Sequence, residues 1–261
     1  MTMIDSHTHV DGAEFDGDRA EVLARARAAG LTGMVVVGTG RSLAQISRAV
    51  ELAAREPDVW AAVGVHPHDA KEMDESWWGP LEEMARAPRV VAVGETGLDF
   101  HYDHSPREIQ VDRFRRHVQL ARKLGKPVVC HVRDAHAESA ALLAEENAGE
   151  RGGVIHCFTG GPAEAERYVA LGLHVSFSGI ITFKTAEAIR AAVQKVPVEL
   201  MLIETDAPYL APVPMRGKRN EPAYLVHTAA VVAREKGLSQ EALAAVTAEN
   251  ARRLFALNSS S

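Results

Sequence analysis

The chain has 261 residues, 46% of them hydrophobic and 25% charged, enough for one large domain with a full core and ordinary for a soluble protein. No run of about 18 uncharged apolar residues occurs, which excludes a membrane-spanning helix. A net charge of −6 with histidine neutral argues against broad attraction to nucleic acid, although divalent cations held by the acidic residues would reverse the field locally.

Met1 leads straight into an apolar segment with no basic and then apolar leader, so no secretory signal is expected and the cytoplasm is the expected address. The predicted strands cover about 3–8, 33–38, 60–66, 89–95, 127–132, 152–157, 173–178 and 199–206. They are rich in Val, Ile and Leu with little alternation, as parallel strands covered on both faces should be. Helical patterns separate them. One begins at Asp18 with Glu21 and closes at Gly30. The best delimited covers 106–124, where Ser105, Pro106 and Glu108 predict a capping box. Phe114, Val118 and Ala121 follow on one face, and Gly125 with Pro127 ends that helix. Two helices, about 221–236 and 240–256, follow the eighth strand and are expected outside it.

Eight strands with intervening helices predict an α/β fold, a (β/α)8 TIM-type barrel in a single domain over 1–258, with 259–261 a frayed tail. A doubly wound open sheet is the alternative. No Gly-x-Gly-x-x-Gly turn follows the first strand, and polar residues fall at the carboxyl ends of six strands. Only a closed barrel brings six strand ends around one point.

Those strand ends carry the chemistry. His7 and His9 stand two apart in an extended segment, so both imidazoles can face one metal ion. His66, His68, Glu95, His131, His156 and Asp206 join them in the bowl of a barrel. Imidazole with carboxylate suits zinc, manganese or magnesium, and the number of donors exceeds one tetrahedral site, so two divalent ions are expected. Glu95 is the candidate bridge between them, and Asp206, before Ala207-Pro208, the candidate base and metal contact. Glu204 lies one layer deeper, placed to support a ligand or reach a further metal.

His66 and His68, interrupted by Pro67, read as substrate contacts, with metal binding by His66 the alternative. Arg133 faces either a phosphate or a surface carboxylate. Asp99 is expected to position Glu95, and Tyr102 and Tyr209 either stack a base or pack. His101 and His104 read as exposed loop residues; His117, His136, His174 and His227 receive no role. Arg216, Lys218 and Arg219 form a basic loop that is either solvated or phosphate-binding. Cys130 and Cys157, each beside a proposed ligand, should point to the opposite strand face as buried thiols, and two cysteines suit a reducing compartment.

The runs Asp5-Ser-His-Thr-His9, Gly64-Val-His-Pro-His68, Gly94-Glu-Thr-Gly-Leu-Asp-Phe100, Cys130-His-Val-Arg133, His156-Cys-Phe-Thr-Gly160 and Glu204-Thr-Asp-Ala-Pro-Tyr-Leu210 closely resemble the TatD family of metal-dependent deoxyribonucleases, and Asn250-Ala-Arg-Arg-Leu-Phe255 is similar to its C-terminal motif. The resemblance implies a barrel whose His7, His9, Glu95 and Asp206 hold one ion and whose Glu95, His131 and His156 hold the other. His66, His68 and Arg133 match substrate-side positions. It also implies magnesium-dependent hydrolysis of DNA from the 3′ end, on single-stranded or damaged strands. No obligate protein partner is expected. The alternative is an ester, lactone or aminoacyl-nucleic acid hydrolase on the same barrel; the fourth strand has no lysine to serve as a carbamylated bridge, which counts against one common form of that chemistry. A non-enzymatic metal-binding scaffold is the third reading.

Overall fold

Short Val- and Ile-rich segments alternate with helices and close, in the computed structural model, into an eight-stranded parallel barrel. The structure describes residues 1–257, and the predicted frayed tail lies outside them. The strands are β1 (Met3–Thr8), β2 (Leu31–Gly38), β3 (Val59–Val63), β4 (Val90–Asp99), β5 (Val128–Arg133), β6 (Gly153–Ile155), β7 (His174–Phe177) and β8 (Met201–Ile203), paired in chain order. The helices are α1 (Arg19–Ala28), α2 (Leu43–Arg55), α3 (Trp78–Ala85), α4 (Arg107–Leu124), α5 (His136–Glu145), α6 (Pro162–Ala170), α7 (Glu187–Val193), α8 (Leu225–Lys236) and α9 (Gln240–Phe255). No helix among the described residues is long and apolar enough to cross a membrane.

Closure between the last and first strands is made mostly beyond β8. The Asp206 amide donates to the His7 carbonyl (3.0 Å) and the His9 amide to the Ala207 carbonyl (2.8 Å). The buried Asp5 carboxyl bridges the seam, accepting from the Thr205 amide (3.0 Å) and hydroxyl (2.5 Å). Burial pushes Asp5 up to about 8 despite these donors.

Side chains divide by strand face. Met34, Val36, Ala61 and Val63 point out into the layer shared with the helices. Ile4, Val35, Ala62, Val129, Val154 and Leu202 fill the barrel interior together with Ala248, Ala251 and Phe255 of α9. Both terminal helices were expected outside; α8 packs there, but α9 closes the lower opening. Its Asn250 donates to the carbonyls of Val198 (2.8 Å) and Met201 (2.9 Å), tying α9 to the segment that leads into β8. Apolar contacts of this kind stabilise by about 1.5–3 kcal/mol per fully buried large side chain.

Three strand boundaries differ from the sequence-based ones in ways that matter. β4 runs on to Asp99, so Glu95 lies inside a strand rather than at its end. β8 stops at Ile203, leaving Glu204 to Asp206 in an irregular segment. β3 stops at Val63, and His66 caps the short 3-10 turn Pro67–Glu72 by accepting the His68 amide on its Nδ1 (3.1 Å). The capping box before α4 does not form either. The Ser105 hydroxyl instead donates to the His68 carbonyl (2.8 Å) and accepts from the Lys71 amide (3.1 Å), tying that turn to the loop before α4.

Candidate active site

Strict alternation along β1 and β4 would aim His7 and Glu95 away from the interior, opposite to Ile4 and Ala92. In each strand the ladder shifts register just there, between Asp5 and Thr8 and between Gly94 and Thr96. Such irregularities re-aim side chains next to sites. Glycines stand on both sides of the second shift: Gly94 and Gly97 have φ of +135° and +146°, and a Cβ at Gly97 would meet the His131 carbonyl oxygen at 1.9 Å. In β5 and β6 ordinary alternation suffices, because Val129 and Val154 are interior and His131 and His156 follow two residues later.

All eight predicted site residues that carry an imidazole or carboxylate at the strand ends converge on one cleft of about 1110 Å3, His7 as its buried floor. Around Glu95 Oε2 lie His7 Nε2 (3.4 Å) and His9 Nε2 (3.7 Å). These two nitrogens are 3.1 Å apart, and Asp206 Oδ1 stands 3.5 Å from His9 and 3.8 Å from His7. Around Glu95 Oε1 lie His156 Nε2 (2.6 Å), His131 Nδ1 (3.2 Å) and His66 Nε2 (3.4 Å). Donors bound at about 2.0–2.1 Å to a tetrahedral ion are roughly 3.3 Å apart. Several overlapping sets of these donors, His7 with His9 and Glu95 and Glu95 with His131 and His156 among them, therefore lie close enough together to hold a metal ion.

Neighbouring groups decide which imidazole nitrogen faces inward. His9 Nδ1 donates to the Val37 carbonyl (2.9 Å), freeing Nε2. His131 Nε2 lies 3.0 Å from Asp99 Oδ2, freeing Nδ1, and His156 Nδ1 lies 3.2 Å from Glu204 Oε1. Glu204 also accepts the Cys157 amide (2.6 Å). Such carbonyl and carboxylate partners fix ring orientation in metal-binding histidines. Asp99, expected to position Glu95, instead orients His131 and His68, whose Nε2 is 2.9 Å from the same oxygen. It is held in turn by Gln110 of α4, which accepts from the Asp99 amide (2.8 Å) and donates to its carbonyl (3.2 Å). His117, given no role, accepts the Val65 amide (3.2 Å) and so fixes the approach to His66. Gln110 falls on α4's apolar stripe, four residues before Phe114, and only that hinted at this contact, since a buried glutamine needs partners.

Charge in the cluster is strongly coupled. Burial raises Glu95, but His156 and His66 outweigh it and hold the carboxylate well below its ordinary 4.5. Asp206 is likewise raised by burial and brought below 3.8 by its hydrogen bond to His9 and by His7. Burial lowers His9 and His156, yet Asp206 and Glu95 lift His9 to about 9, and Glu95 and Glu204 lift His156 well above 6.5. A divalent ion held there would bring positive charge to the same carboxylates and compete with protons for the imidazoles.

At the rim, Arg133 stacks on the half-exposed Tyr102 (4.7 Å) and has no carboxylate partner among the described residues. Tyr102 stacks in turn on His104 (5.4 Å), so this loop histidine, like His101, lines the cleft. Cys130 is buried as expected, whereas Cys157 adopts φ 43°, borders the cleft and sits 3.1 Å from the Ser178 hydroxyl. Arg219 of the basic loop is occupied by Asp18 (2.6 Å) and lies over Phe15, while Arg216 covers Phe183.

A family model described as TatD related DNase matches residues 4–256. The uncharacterized metal-dependent hydrolase YabD of Bacillus subtilis (strain 168) is 40% identical over 98% of this chain and 100% of its own. The 3′-5′ ssDNA/RNA exonuclease TatD of Edwardsiella piscicida is 42% identical over 98% of this chain and 100% of its own. Among solved structures, YJJV, a TatD homolog from Escherichia coli K12, matches with a TM-score of 0.92 at 31% identity, covering 98% of both chains. With its barrel and its clustered imidazoles and carboxylates, this chain belongs to the TatD family of metal-dependent hydrolases.

Proposed function

We propose that the protein is a 3′-to-5′ exonuclease acting on single-stranded or damaged DNA, working with two divalent ions, magnesium the working pair. The observation that carries this reading is the two-sided spacing of donors about Glu95. His7, His9, Glu95 and Asp206 would hold one ion, and Glu95, His131 and His156 the other. Bound there, the ions would supply positive charge to the phosphoryl oxygens and acidify water.

The chain's own groups do the rest. Asp206, kept ionised by its imidazole neighbours, accepts the proton of the attacking water. Arg133 and His68 hold non-bridging oxygens of the phosphodiester, and Tyr102 and Tyr209, both exposed at the rim, offer faces for bases. Asp99 and Glu204 orient His131 and His156. The cytoplasm suits two cysteines that are both free. No lysine lines the cleft among the described residues, so the ester or lactone reading lacks a carbamylated bridge.

The test is a metal-titrated assay on end-labelled single-stranded DNA beside ester and lactone substrates. Divalent-dependent release of mononucleotides from the 3′ end is expected, with Glu95→Ala and Asp206→Ala each lowering kcat by about 10³-fold or more while the barrel stays folded. Wild-type turnover by Asp206→Ala, or faster hydrolysis of an ester than of DNA, refutes the reading.

A further inference from the structure

Asp11 is more than nine-tenths buried, two residues past His9, on the wall of the same cleft. Its Oδ1 has no hydrogen-bond partner, and no cation pairs with its carboxylate among the described residues. The neighbouring arginines are committed elsewhere. Arg48 Nε donates to the Asp11 carbonyl (2.8 Å), and Arg19 Nη2 donates to the carbonyls of Asp11 (3.0 Å) and Gly12 (2.9 Å). Both guanidiniums then turn to Asp16, and Arg41 turns to Asp69 (3.1 Å). The backbone of this wall is clamped while its carboxylate is left free to accept. Across the barrel, at the end of β5, the unpaired cation is Arg133. The cleft therefore has an acidic acceptor on the β1 side and, on the β5 side, a guanidinium with no carboxylate partner among the described residues.

We propose that Asp11 accepts a hydrogen bond from the free 3′-hydroxyl of the terminal nucleotide, so that the cleft reads the end of the strand as well as its phosphate. The proposal rests on the exonuclease reading above. A hydroxyl donor satisfies a buried carboxylate that otherwise has nothing to accept. A 3′-phosphate brings a like charge to the same place and is rejected. The strand then runs from Asp11 past the central carboxylates toward Arg133 and Tyr102, which orders the terminal sugar before the scissile phosphate.

Three oligonucleotides alike but for their ends (3′-hydroxyl, 3′-deoxy and 3′-phosphate) test this with wild type, Asp11→Asn and Asp11→Ala. Wild type should prefer the hydroxyl over the deoxy end by about 10- to 100-fold in kcat/KM, the range of a hydrogen bond to a buried charge. It should be slowest on the phosphate. Asp11→Ala should equalise hydroxyl and deoxy ends, and Asp11→Asn, which keeps an acceptor but loses the charge, should gain on the phosphate end. Wild-type binding of thymidine 5′-monophosphate against its 3′-deoxy analogue gives the same comparison without turnover or any variant. A wild type that degrades single-stranded DNA but ignores the 3′ group overturns the Asp11 assignment alone, as do folded variants with unchanged preferences. A wild type inert on all three ends overturns the exonuclease reading and this assignment together.

Discussion

His131 turns one nitrogen to Asp99 and the other to Glu95, so a single buried carboxylate decides which face of the ring meets the cleft. Replacing Asp99 with Asn removes the charge shared by His131 and His68 while keeping the shape. On the proposed two-ion reading, affinity for the ion that His131 would hold should fall about 10- to 100-fold, the usual effect of such partners, with little change at the ion that His7 and His9 would hold. Calorimetric titration with manganese would resolve two affinities in the wild type and a selective loss in Asp99→Asn; equal weakening of both would contradict this division. At this scale the sequence was partly readable. The pair His7 and His9, and the positions of His131, His156 and Asp206 at strand ends, identify which side chains meet. What it hid was who holds whom: the shifts in β1 and β4 break the alternation on which that reading relied, and Asp99 came near Glu95 in sequence but not in function. Cys157 escaped the two-residue rule for a similar reason, since its positive φ takes it out of the strand.

Helix α4 looks like packing and is more than that. Its Phe114, Val118 and Ala121 form the apolar stripe expected from their spacing, and Gly125 ends it in the left-handed region (φ +66°). Along the same buried side, Gln110 holds Asp99, and His117 holds Val65 while donating through Nδ1 to the Arg113 carbonyl (2.7 Å). Periodicity reports the stripe but not these polar contacts, because it scores where residues lie and not what their atoms reach. His117 has a pH consequence. Burial lowers it from 6.5 to about 4, so the folded state keeps it neutral while the unfolded chain takes up a proton near 6.5. Its contribution is therefore complete above pH 6.5 and is lost as pH falls toward 4. At about 1.4 kcal/mol per unit the loss approaches about 3 kcal/mol. Urea midpoints at pH 7 and pH 5 should differ less in His117→Gln than in wild type, and parallel shifts would show that His117 is not the group responsible.

The whole molecule is acidic, with a net charge of −6, and only Arg41, Arg48 and Arg133 bring permanent positive charge to the cleft walls among the described residues. Two of those are already paired. DNA should consequently be held by a few phosphates near the reacting centre and not along a basic track. Single strands lose affinity with a logarithmic salt slope of about −0.7 per contacted phosphate, so a slope no steeper than about −2 is expected. Binding of a short single strand to Asp206→Ala between low and moderate salt would measure it, and a slope of about −5 would require a basic surface outside the cleft. The barrel itself was legible from end to end, since eight apolar runs and their Gly- and Pro-marked stops state its strand order. The plugging of the lower opening by α9 was not, because an amphipathic helix reads alike whether its apolar side faces strands from outside or caps them from below.

The seam that Asp5 makes with Thr205 joins residues two hundred positions apart in the chain. Glu95, His131 and His156 all leave the ribosome before the last strand does, but the group containing His7 and His9 gains Asp206 only after nearly all of the barrel has been synthesised. His156 likewise gains its Glu204 partner (3.2 Å) only from the segment after β8, so both groups of donors wait for the strand that closes the barrel.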